Sequence, residues 1–177
     1  HKVVVVIASD GEASDGNVVQ ALKPLEHLPV QVVIRLCTDE DKVVNYWNAI
    51  DNQLEAEIDV LDDLAGEAQE IYDVNPWVTY GEPLQRLREF GIHIKEFDLI
   101  DESKLSLEQV RVVCATIFGG HPNDYPHPEA EPKEFQKMIH VKNAAVSTVY
   151  SPMKKSMRPW IEEGNLKSQY YGSCSIM

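Results

Sequence analysis

The chain has 177 residues, 44% of them hydrophobic, and 29 acidic against 16 basic side chains give it a net charge of −13. That length accommodates one domain with a sizeable core plus an appendage. The acidic balance excludes sequence-independent nucleic-acid binding, which needs a positive surface to displace counterions. No apolar run approaches the ~20 residues of a membrane span, and no secretory-signal pattern opens the sequence.

Val3 to Ile7 is an unbroken β-branched run, the pattern of a strand buried on both faces of a parallel α/β sheet. It stops at Ser9-Asp10-Gly11, which places a carboxylate at the carboxyl end of a strand, where open α/β sheets build their sites. A short helix follows, with Asp15 or Asn17 as its N-cap, apolar positions at 18, 19, 22 and 25, and Pro24 limiting it to about two turns. Val30 to Leu36 reads as a second interior strand, and Glu40 to Leu54 as a helix with Val43, Val44, Trp47 and Ile50 at helical spacing. Glu57 to Leu61 alternates as a half-buried or edge strand would, and Asp62-Asp63 caps a helix from 64 to 74 that Asn75-Pro76 stops.

A helix with Pro83 in its first turn and Gly91 after its end comes next, then a short strand over 92–99. Ser106-Leu-Glu-Gln109 is a capping box for a helix reaching Phe118, closed by Gly119-Gly120. His121 to Pro132 holds four prolines and reads as a linker; one helix over 134–149 follows, and the chain from Ser151 onward reads as loosely packed. The expected division is an α/β domain with a helical extension over 1–118, a Pro-rich linker over 119–132, and a helix plus tail over 133–177. Strands alternating with helices over short connections predict a parallel sheet with flanking helices, a partial three-layer fold.

The segment Val4-Val-Val-Ile-Ala-Ser-Asp-Gly-Glu-Ala-Ser-Asp15 resembles the strand and "T-D-G-x-x-x-D" loop of von Willebrand factor A (vWA) domains. The likeness covers about residues 2–61. It implies a doubly wound fold, with Asp10 in the third loop of a metal-ion-dependent adhesion site and Ser9, Gly11 and Asp15 as second-shell or loop-shaping residues. No "D-x-S-x-S" occurs in the sequence, so the resemblance implies that the chain begins at the family's fourth strand. His1 in place of Met likewise suggests a piece of something longer. The implied activity is metal-assisted protein–protein contact, with Mg²⁺ (or Mn²⁺ or Ca²⁺) bridging to an acidic group of a protein partner. The physics of Asp10 agrees, because a hard cation takes oxygen ligands and keeps waters. The competing reading is a plain turn after a buried strand.

Other chemistry is weaker. His121, Asp124 and His127 make an H-x-x-D-x-x-H cluster, more economically a solvated loop. Asp59, Asp62 and Asp63 could be a paired-carboxylate site for acid–base work, but Asp62-Asp63 reads as a helix cap. Trp47, Trp77 and Trp160 read as packing residues, with Trp77 the one candidate for an exposed partner anchor. Cys37, Cys114 and Cys174 match no zinc or disulfide pattern. The first two are expected to be buried thiols, which suggests a reducing, cytoplasmic setting. Cys174-Ser-Ile-Met177 resembles the carboxyl terminus of farnesylated proteins, which would make the chain a peripheral membrane protein. The leading expectation is an interaction module rather than an enzyme. The alternatives are a structural or regulatory interaction domain with a vestigial metal site, and a hydrolase using Asp10. A sheet of three strands would also leave an apolar edge through which the chain could dimerise.

Overall fold

Consecutive β-branched residues restrict χ1 and favour extended backbone. In the computed structural model, which describes residues 3–38, 40–54, 58–61 and 63–172, they form β1 (Val3–Ser9) and β2 (Val30–Leu36). A shorter strand, β3 (Ile58–Leu61), completes a parallel sheet in the order β1-β2-β3. Val3 pairs with Val30 and Val32 with Ile58, so β2 is the central strand.

The chain divides into two compact units, His1–Gly66 with Pro83–His93, and Glu67–Glu82 with Ile94–Met177. In the first, α1 (Val18–Leu22), continued by a 3-10 turn over Lys23–His27, and α2 (Asp41–Asp51) cover one sheet face. Leu22, Val43, Trp47 and Ile50 from the helices bury Val32, Ile34, Leu36 and Ile58 from the strands. Because side chains alternate along strands, Val4, Gln31, Arg35 and Asp59 share the opposite face. That face receives α4 (Glu82–Glu89), which follows α3 (Leu64–Val74) in the chain. Arg88 donates to both Asp59 oxygens at 3.2 and 2.7 Å in a buried pair, and Arg35 reaches Glu89 at 3.2 Å. Gly91, with φ of 80°, ends the turn where a Cβ would run into Val4 Cγ2.

The second unit is mainly helical. It contains α5 (Lys95–Leu99), α6 (Leu107–Phe118), α7 (Pro132–Ala145), the antiparallel hairpin of β4 (Val149–Ser151) and β5 (Ser156–Arg158), and α8 (Glu163–Tyr170). Its buried side chains include Trp77, Phe97, Leu105, Phe135, Ile139, Ile161 and Leu166. Among the described residues, no helix is long and apolar enough to cross a membrane.

The mixed α/β class, the parallel sheet and the flanking helices agree with the sequence reading, and so does the Ser106–Gln109 capping box. Several expectations are corrected. β1 is an edge strand rather than one buried on both faces, with Val3 54% and Val6 51% exposed. The predicted strand over 92–99 is helix α5, because Ile94, Phe97 and Ile100 recur at helical spacing and the last two are buried. The 119–132 segment is packed rather than a linker. Arg111 of α6 donates twice to the Tyr125 carbonyl, at 3.0 and 2.7 Å, and the Tyr125 hydroxyl donates to Gly119 O. Residues 152–172 are equally well held, since Asn165, Gln169 and Tyr170 of α8 donate to the carbonyls of Pro76, Val74 and Leu105. Trp77 is fully buried, so it is no exposed anchor, whereas Cys37 is exposed rather than buried.

Candidate functional site

The loop after β1 is shaped by its own short side chains. The last ladder bond of the strand runs from Cys37 N to Ser9 O at 2.8 Å. Ser9 Oγ then donates to Gly11 O at 2.9 Å and accepts a longer bond from Gly11 N, turning the chain within three residues. Trp47, buried on α2, donates its indole N–H to the same Gly11 carbonyl at 3.1 Å and so fixes the loop to the core. Glu12 pairs with Lys42 of α2 at 2.7 Å, and that bond raises the Lys42 pKa.

Asp10 stands at the top of this turn with its side chain exposed. It makes no hydrogen bond or ion pair among the described residues, a free carboxylate at the carboxyl end of a parallel strand. Gly11 does not adopt a positive φ, and a Cβ there would meet nothing within 4 Å. The Ser9 and Trp47 bonds set the turn. Asp15 is exposed, and Asn17 rather than Asp15 caps α1, accepting from Gln20 N at 3.2 Å.

Among the described residues, no group of three or more His, Cys, Asp or Glu side chains is arranged to hold a metal ion. What the loop offers a hard cation is the Asp10 carboxylate and the lone pairs of Ser9 Oγ, whose proton is engaged by Gly11 O. This donor set suits an ion that keeps most of its waters. Compared with known protein families, curated proteins and solved structures, the chain matches none.

The other candidate clusters resolve into structure. His121 Nδ1 accepts from Asn123 N and Asp124 accepts from His121 N, while His127 Nδ1 accepts from Glu129 and Ala130 N. Both imidazoles thus act as turn caps. Asp63 caps α3, accepting from Ala65 and Gly66 N at 2.7 and 3.0 Å, and Asp59 is committed to Arg88. Asp62 and Cys174 lie outside the described residues. Sequence reasoning missed the part of Trp47 as a loop anchor and that of Lys42 beside Glu12. Neither pairing has a local signal, since 36 residues separate Trp47 from Gly11.

Proposed function

We propose that the first unit is a protein-interaction module of the vWA type, in which Asp10 offers a carboxylate to a divalent cation shared with an acidic group of a protein partner. The observation that carries this reading is the unengaged Asp10 side chain on a loop held rigid by Ser9 and Trp47. A rigid loop presents the oxygen without first breaking an internal bond, which lowers the cost of recruiting it. The parallel order β1-β2-β3 supports the reading too, since the resemblance implies consecutive crossovers of one sheet. Mg²⁺ suits this donor set best, because it retains waters around one or two carboxylates.

A second reading, an interaction domain whose metal site is vestigial, is favoured by one observation. The Ser9 hydroxyl is turned back onto Gly11 O rather than outward. Isothermal titration with Mg²⁺ and Mn²⁺ separates the two. The wild-type chain should take up one ion with a Kd of about 10⁻³ M or tighter. Asp10→Ala should weaken that uptake at least tenfold, with an unchanged circular dichroism spectrum. Equal affinity in both proteins would exclude Asp10 as a ligand, and no uptake by either would favour the vestigial reading.

A further inference from the structure

We infer that the β4–β5 hairpin of the second unit is a docking surface for an acidic segment of a partner polypeptide, one in which apolar side chains stand among carboxylates. This surface belongs to the second unit and owes nothing to metal binding at Asp10.

Charge is distributed unevenly along the chain. From Phe135 to Trp160 the sequence carries Lys137, Lys142, Lys154, Lys155 and Arg158 and no carboxylate, so all 29 acidic side chains lie outside that stretch. The hairpin joins the last three of these cations to apolar surface. Tyr150 pairs with Met157 across the ladder, so both side chains project from one face, where they are 52% and 56% exposed. Val149 and Ser151 alternate with Tyr150 and are buried. Aromatic residues and methionine are enriched in protein interfaces.

Lys154 and Lys155 stand exposed in the turn between the strands. Lys155 has a φ of 48°, a conformation that favours glycine or asparagine over a long side chain. It makes no hydrogen bond or ion pair among the described residues. The carboxylates that follow the stretch are already engaged. Arg158 holds both oxygens of Glu162, at 2.6 and 2.9 Å, and Glu163 accepts from Asn143 and meets His140.

The count and range of the charges select the occupant. Lipid surfaces are recognised by clusters of about 4–8 cations, and duplex nucleic acid by neutralising about 6–10 phosphates. With Arg158 committed to Glu162, the hairpin keeps only Lys154 and Lys155, which suits a few carboxylates flanking an apolar anchor. The acidic remainder of the chain does not prevent the approach, because salt near 0.15 M screens exposed charges beyond about 8 Å.

The test is fluorescence anisotropy of the full chain, in such salt, with a labelled peptide, Glu-Asp-Glu-Leu-Phe-Glu-Asp-Glu. One counterpart has glutamine and asparagine in place of the acids, and another has serine in place of leucine and phenylalanine. The first peptide should bind saturably and each counterpart about fivefold more weakly or worse. Tyr150→Ser should weaken binding about tenfold. Lys155→Gly, which the turn accepts without strain, should weaken it about threefold, with the circular dichroism spectrum unchanged. Binding should be the same in EDTA and in Asp10→Ala, so loss of ion binding and loss of docking are read separately. Absence of saturable binding, or equal binding by Tyr150→Ser and Lys155→Gly, would overturn the proposal. So would co-sedimentation with phosphatidylserine vesicles that Lys155→Gly abolishes, which would assign the hairpin to a membrane. A dimer by light scattering that Tyr150→Ser dissociates would likewise overturn it, in favour of a second copy.

Discussion

Asn75 is fully buried and uses both ends of its amide. Its Nδ2 donates to the carbonyls of Ile100 and Ser103 at 2.8 and 2.7 Å, and its Oδ1 accepts from Leu105 N and from the Trp77 indole. Asn75→Ala would strand three buried groups, the Ile100 carbonyl, the Leu105 N–H and the Trp77 indole N–H, and each unsatisfied group costs about 1–3 kcal/mol. The expected loss is therefore about 3 kcal/mol or more, read from the urea midpoint. Gln31 is the opposite case, equally buried with neither amide atom bonded. Gln31→Leu removes an unpaired polar group while keeping the volume, so stability should rise by about 1 kcal/mol in the same assay. Thiol chemistry separates two further residues. Burial pushes the Cys114 thiol far above its ordinary pKa, whereas Cys37 is exposed. Peptide-resolved labelling with iodoacetamide should modify Cys37 in the native protein and Cys114 only in denaturant.

At the scale of elements, α8 responds to pH through its carboxyl-terminal tyrosines. Burial raises both Tyr170 and Tyr171 from 10 to about 12. In the unfolded chain these phenols lose their protons near pH 10, while the folded chain keeps them to higher pH. Above pH 10 the unfolded state therefore binds fewer protons, and stability falls as pH rises. Their contribution is full below pH 10 and lost by about pH 12, which urea titrations at pH 8, 10 and 11.5 would register as a falling midpoint.

Elements were legible in the sequence where local physics decides them. The β-branched runs yield β1 and β2, and the Ser106 box and Gly91 mark helix ends. What was illegible depends on distant partners. Proline-rich 121–132 looks like a linker until Arg111 is seen bonding Tyr125 O, and α8 has weak amphipathic patterning and is held by tyrosine, asparagine and glutamine bonds. Within the candidate site, Asp10 was visible as an acid that ends a strand. Its freedom from partners was not, because that depends on Ser9 and Trp47 satisfying the loop in its place.

For the whole molecule, the two units interleave along the chain, so neither is one continuous stretch. The sequence-based break at 118 would cut through the second unit, removing Phe135, Ile139, Ile161 and Leu166 from its core. It would also remove the carbonyls of Pro159 and Trp160 that Thr79 bonds. A polypeptide of residues 1–118 should therefore show no protected amides in 67–82 and 94–118 by hydrogen exchange, whereas the full chain protects them.

Paramagnetic broadening locates an ion at the Asp10 carboxylate directly. On titrating the ¹⁵N-labelled full chain with Mn²⁺, the amide signals of Ser9, Asp10 and Gly11 should broaden first, and Asp10→Ala should abolish that effect. Broadening spread over the acidic surface, unchanged by Asp10→Ala, would exclude Asp10 as the ligand.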